Sequence, residues 1–334
     1  MIVSLQYLRA LAVFLVLLIH ISDKSSQYGT GLLDFRDGRF GVDIFFIISG
    51  FVMYYTTLDK KDGFSSIKSF LKHRVIRIIP LYWFLTSIAL TVYIVTPQYV
   101  NHSGGTTDVL KSYLLYPTND RYLLSVAWTL SYEFYFYIIF SCTFFFSKYR
   151  IPFLVSAILL PVIIGLNIEV SNSSILLNFF TNSLLLEFLF GVFIAKTYKS
   201  KYFRKVEVSI SSLVLFVLSY TMYLYGYKLG YRGLDLGIPA MFLVIFFLTL
   251  EEKIKVYCNK WIMNIGESSY SIYLTHLFLL AAAGLVYKKI DIHSVVAECL
   301  FISLMLIGSL LSGYITYHLI EKRFTLYLRR KETK

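Results

Sequence analysis

Five ionisable side chains stand inside long apolar runs: Arg9, His20, Asp43, Glu133 and Glu187. A charge at the centre of a membrane helix costs about 2.5–3.5 kcal/mol on insertion scales, so each such group is a candidate for function. His20 is the one imidazole among them, a group that exchanges protons near neutrality. Arg9 precedes it by eleven residues, close to three helical turns, so both side chains project from nearly the same face about 16 Å apart along the axis. Against a chemical role, Arg9 can extend to headgroups at one end of the helix and His20 can simply finish the other.

Two further arginines, Arg74 and Arg77, follow His73 and precede Pro80. A spacing of three puts both on one helix face. Forked guanidinium donors match phosphate oxygens, which makes this the place for a phosphate-bearing ligand to dock. The alternative is ordinary basic flanking of a membrane helix. Upstream, Ile48-Ser49-Gly50-Phe51 sets two small residues after a bulky stretch. They serve either close helix packing or an opening for a narrow ligand arm. Glu133 lies in the string Trp128-Thr129-Leu130-Ser131-Tyr132, among hydroxyls and aromatics, with a salt bridge to Arg121 or Arg39 as its structural alternative. Glu187 equally invites a buried partner, and His318 with Glu321, at a helix end where charge is cheap, reads as structural.

These groups must be positioned by membrane helices. Of 334 residues, 57% are hydrophobic and 16% charged, whereas soluble domains carry about a quarter charged residues. Apolar stretches predict helices near 4–22, 40–58, 76–96, 126–147, 151–168, 176–196, 206–226, 236–250, 266–286 and 294–318. The first run carries Arg9 and His20 and lacks a small-residue cleavage site, so it is not expected to be a removable signal peptide. Alternating the loops places 23 Lys and Arg on the side of the chain start and 9 on the other, which makes the first side cytoplasmic and both termini cytoplasmic. The expected fold is an all-α, polytopic bundle of about ten transmembrane helices. It is one domain over 1–334, with the bundle at 4–318 and a short basic tail at 319–334. The longest outer segments, Asp23–Arg39 and Gln98–Ser125, are too short for a second domain. The net charge of +12 is explained by orientation and anionic lipid, not by nucleic acid. Cys142, Cys258 and Cys299 have no metal-ligand spacing, and no metal is expected.

The segments "LQYLRALAVFLVLLIH", "GVDIFFIISGFVM", "RVIRIIPLYW", "AWTLSYEFYFY", "GESSYSIYLTH" ending at His276, and "YHLIEKRF" occur in this order along most of the chain. Together they resemble acyltransferase family 3 of bacterial membrane proteins, above all the branch that acetylates exopolysaccharides and other surface glycans. The closing segment departs from the family by Arg323 at a position where proline is common. The resemblance implies a multi-pass protein of the bacterial cytoplasmic membrane. It implies transfer of an acyl group, usually from acetyl-CoA, to a hydroxyl of a polysaccharide or lipid-linked repeat unit across the membrane. On that reading Arg74 and Arg77 hold cofactor phosphates, and the thioester arm enters by Ser49 and Gly50. His20 is general base or transient acyl carrier, Glu133 or Asp43 orients it, and Arg9 contacts cofactor or fixes the helix. The competing functions are a transporter or flippase of lipid-linked sugar, a membrane glycosyltransferase, and a structural or sensory protein. Dependence on acyl-CoA separates the first from an enzyme. No aspartate pair spaced for a metal-bound sugar nucleotide speaks for the second.

Overall fold

A computed structural model describes residues 2–29, 31–97, 106–167, 174–290 and 294–330. Part of the outer segment expected over Gln98–Ser125 and the last residues of the tail lie outside these. Ten main helices occupy the predicted positions: α1 Val3–Tyr28, α2 Phe40–Tyr55, α3 Phe64–Val95, α4 Ala127–Cys142, α5 Arg150–Asn167, α6 Leu185–Tyr198, α7 Val206–Leu224, α8 Gly237–Thr249, α9 Lys260–Ile290 and α10 Val295–Thr316. Among the described residues, eight helical stretches are long and apolar enough to cross a membrane. Of the ten helices, α4 and α5 fall outside that group, with 16 and 18 residues. The chain is thus an all-α, polytopic membrane bundle.

Three boundaries differ from the apolar-run reading, each for a physical reason. Helix α3 begins at Phe64, twelve residues before the predicted start, so Arg74 lies inside the helix and not ahead of it. Its first turns carry Lys68, Lys72, Arg74 and Arg77, charges that interrupt the apolar run on which hydropathy relies. Pro80 sits within the helix, and beside it the Tyr270 hydroxyl of α9 donates to the Ile78 carbonyl at 2.8 Å. The predicted sixth helix is broken: Ile175–Phe180 stops, and α6 restarts at Leu185. At the break, Asn182 Oδ1 accepts from the Leu184 amide at 3.0 Å and the Ser183 hydroxyl accepts from the Gly233 amide at 3.1 Å, local side-chain bonding that competes with the helix. The predicted tail, finally, is helical as far as Arg330. Helix α10 passes through a π-helical turn, Tyr317–Glu321, directly into Lys322–Arg330. With arginine at 323 the backbone keeps the N–H that a proline would remove.

The helices approach closely where small residues allow it. A Cβ at Gly50 would lie 2.0 Å from the Phe188 carbonyl oxygen, and one at Gly191 would lie 2.0 Å from that of Ile47. Helices α2 and α6 therefore touch backbone to backbone. The two faces of the bundle are tied separately. At the face of the chain start, the Val3 and Ser4 amides donate to Glu251 at 3.0 and 2.7 Å. Nearby, Arg204 pairs with Glu252 at 2.8 Å. At the far face, buried Glu298 accepts from the Leu32 amide at 3.0 Å and from the Ser25 hydroxyl.

Candidate active site

A cavity of about 650 Å³ penetrates the bundle between α1, α2, α3, α4 and α9. Along α2 it is lined from Val42 to Thr56, about 21 Å of helix at 1.5 Å per residue. At the face of the chain start its wall includes Ile2, Arg204, Glu251 and Lys255; at the other end it includes Val42, Thr129 and Tyr273. The Glu251 carboxyl would be raised by burial, but hydrogen bonds from the Ser4 and Val3 amides prevail and hold it below the ordinary carboxylate range. Lys255, hydrogen-bonded to Glu252 and near Glu251, is raised.

Five of the predicted residues meet on this cavity: Arg9, Ser49, Arg74, Arg77 and Glu133. Arg9 Nε donates to Ser269 Oγ at 3.1 Å. Arg74 lies over the rings of Phe70 and Tyr137, 5.6 and 5.9 Å from their centroids, and its Nε is buried without a hydrogen-bond partner. Glu133 accepts from Ser49 Oγ at 2.9 Å and from the Tyr137 hydroxyl. Glu321, on the π-helical turn, accepts from Ser271 at 2.6 Å and lies within electrostatic reach of Arg77 and Arg9. Four arginines and Lys255 against Glu133 and Glu251 on the wall leave a surplus of positive charge. A long slot with an unsatisfied buried guanidinium donor fits an extended ligand that carries phosphate.

The other three predicted residues do not line the cavity. Gly50 is engaged with α6 and opens nothing. Asp43 is fully buried and accepts from Arg232 at 3.2 Å. The Arg232 guanidinium also donates to the Arg39 carbonyl at 3.2 Å and lies 5.6 Å from the Trp128 ring centroid. Glu187 lies within electrostatic reach of the same pair, with both carboxylate oxygens buried and outside any hydrogen bond; the partner of Asp43 is Arg232, at a distance in sequence that no local pattern reveals. His20 lies beyond the inner end of the cavity. Neither Glu133 nor Asp43 stands beside it: the nearest carboxylate is Asp23, 3.7 Å from His20 Nδ1. That pair is an i, i+3 spacing on one helix, legible in the sequence but not singled out there. The ring centroid of His20 is 5.1 Å from that of His276, which is 6.0 Å from that of Tyr273. Tyr273 bonds to Thr129 Oγ1 at 2.8 Å, and both line the cavity. Tyr137, one turn after Glu133, and Ser269 are further polar groups on the wall that the residue pattern did not select. Among the described residues no group of three or more His, Cys, Asp or Glu side chains is placed to hold a metal ion.

The family model described as "Acyltransferase domain" matches residues 2–318. The chain is 29% identical over 285 residues to the "Exopolysaccharide production protein ExoZ" of Rhizobium meliloti (strain 1021), covering 80% of this chain and 84% of that protein. It is 30% identical over 149 residues to "Acyltransferase MdmB" of Streptomyces mycarofaciens, covering 41% of this chain and 38% of that protein. No solved structure matches.

Proposed function

The chain belongs to the acyltransferase family whose domain model spans residues 2–318, and from that premise we propose that it is a membrane-embedded O-acyltransferase using acyl-CoA, most simply acetyl-CoA. The acceptor is a hydroxyl of a polysaccharide or lipid-linked glycan on the far side of a bacterial cytoplasmic membrane. The face of the chain start is cytoplasmic, as the excess of Lys and Arg there requires.

The observation that carries the reading is the cavity itself. It brings Arg9, Arg74 and Arg77 to one cavity with a length of about 21 Å along α2, and it ends one aromatic layer short of His20. Arg74 and Arg77 grip the phosphates of the donor, and Arg9, held by Ser269, lines the slot deeper in the bundle. Ser49 and Tyr137 fix the Glu133 carboxylate, which keeps the three arginines from repelling one another. His20 meets the acceptor hydroxyl from the far face, where a third of its side chain is exposed, and takes its proton as the oxygen attacks the thioester carbon. The carbon–sulfur bond breaks and the thiolate leaves. Asp23 faces the imidazole Nδ1 and stabilises the charge gained there. The ExoZ relationship favours an exopolysaccharide as acceptor.

The test is transfer of radiolabelled acetyl from acetyl-CoA into surface glycan, with membranes holding wild-type protein, His20→Ala protein or none. Label that needs His20, with acyl-CoA still bound by the variant, supports the reading. A fully active, well-expressed His20→Ala protein would remove the chemical role of that residue. Movement of lipid-linked sugar without dependence on acyl-CoA would favour a transporter.

A further inference from the structure

His276 has no place in the mechanism so far, yet its surroundings are unusual. It stands on α9, wholly buried. Its Nδ1 lies 3.3 Å from the Ile272 carbonyl oxygen one turn back. A carbonyl only accepts, so Nδ1 carries the proton and the lone pair sits on Nε2. That Nε2 is buried and has no hydrogen-bond partner. An unsatisfied buried acceptor weakens a fold, so a leucine of similar volume would serve packing better. A neighbouring ring is that of His20, 5.1 Å between centroids and tilted by 39°. His20 thus stands between the Asp23 carboxylate at 3.7 Å and a second imidazole whose free nitrogen can only accept.

We infer that His276 is a positioning residue for His20: as Nδ1 of His20, facing Asp23, takes the hydroxyl proton, the N–H on the other ring nitrogen of His20 turns to the free Nε2 of His276, which shares the added charge. The inference rests on the acyl-transfer reading of His20. The balance is closed within the reaction. The hydroxyl proton passes to His20, whose added charge is shared with His276, the new carbon–oxygen bond replaces the carbon–sulfur bond, and the proton ends on the departing thiolate. His276 packs toward Tyr273 on the cavity wall, so the pair bridges the acceptor side and the donor side without any further reactant.

The experiment uses purified wild-type, His276→Leu and His276→Gln proteins. Three quantities are read: the rate at which diethyl pyrocarbonate modifies His20, followed by peptide mass spectrometry; kcat and KM for acetyl transfer; and the melting temperature. His276→Leu is expected to melt at or above the wild-type temperature, because it removes an unsatisfied acceptor. It is expected to slow both His20 modification and kcat by about tenfold to a hundredfold, the effect of losing a hydrogen bond to a charged group, with KM for acetyl-CoA unchanged. His276→Gln, which keeps an acceptor, restores most of both rates. Should the leucine variant not fold, His276→Phe keeps a ring of similar size and has no acceptor, and is judged by the same criteria. A folded leucine or phenylalanine variant with wild-type His20 reactivity and kcat overturns the inference. If His20 reactivity depends on His276 while no form transfers acetyl, the pair stands and the acyl-transfer reading falls. If His20→Ala abolishes transfer while His276→Leu is fully active, the reading stands and the pair falls.

Discussion

Replacing Arg74 by methionine separates a phosphate-binding arginine from one that merely orients a helix. Methionine keeps an unbranched apolar stem over Phe70 and Tyr137 and removes the guanidinium. Two opposing changes follow for the fold. The ring contacts at 5.6 and 5.9 Å, worth about 0.5–1 kcal/mol each, are lost. The buried, partnerless Nε, which costs about 1–3 kcal/mol, is lost as well. These offset, and stability should move by about 1 kcal/mol or less. Binding has no such compensation. A charge-assisted hydrogen bond to phosphate contributes about 1.5–3 kcal/mol, so the Kd for acetyl-CoA should rise about 10- to 150-fold. The assay is calorimetric titration of acetyl-CoA into protein in lipid nanodiscs, with a thermal melt of the same sample. An Arg74→Met protein that melts with the wild type and binds acetyl-CoA with the wild-type Kd would refute the assignment of Arg74 to the donor.

Gly50→Ala should lower the melting temperature, because its Cβ would meet the Phe188 carbonyl oxygen at 2.0 Å and force α2 from α6, at a cost of about 1–3 kcal/mol; an unchanged melt would show that the helices are less tightly seated. Arg232→Met strips the cation from fully buried Asp43 and should cost about 3–5 kcal/mol. Adding Asp43→Asn should recover part of that loss, and a double variant no better than the single one would count against the pairing. Glu251→Gln tests the anchoring of the chain start. A carboxyl held below its unfolded value contributes stability that is present above the ordinary Glu range and lost as pH falls through the lowered folded value. The variant should therefore be weaker by about 1 kcal/mol near neutrality, and the gap in melting temperature should close on acidification; a gap that persists unchanged to about pH 3 would contradict the hydrogen bonds from Ser4 and Val3 as its source.

The eight stretches of spanning length among the described residues were legible because apolar length is a direct consequence of the bilayer. The first turns of α3 were not, since their lysines and arginines interrupt the apolar run that hydropathy follows, and two of the arginines that line the cavity stand there. The meeting of Arg9, Arg74, Arg77 and Glu133 on one cavity joins residues whose individual signals were each ambiguous. Tyr137 was within reach of the sequence, lying four residues after Glu133 on the same helix, as was Asp23 three residues after His20. By contrast, Asp43 and Arg232 are 189 residues apart. No periodicity encodes such a contact, and the same holds for His20 with His276.

The placement of His20 constrains how donor and acceptor meet. Reacting atoms must come within about 3–3.5 Å, but the cavity stops at Tyr273 and Thr129, and His20 lies on the far side of His276. On the proposed acyl-transfer reading, a thioester in the slot and a hydroxyl at the far face would meet at the layer formed by Tyr273 and His276. The bond from Tyr273 to Thr129 at 2.8 Å holds that layer in place when nothing is bound. In the far half, buried Asp43 is paired with Arg232, which also donates to the Arg39 carbonyl, and this ties α2 to the turn that leads into α8.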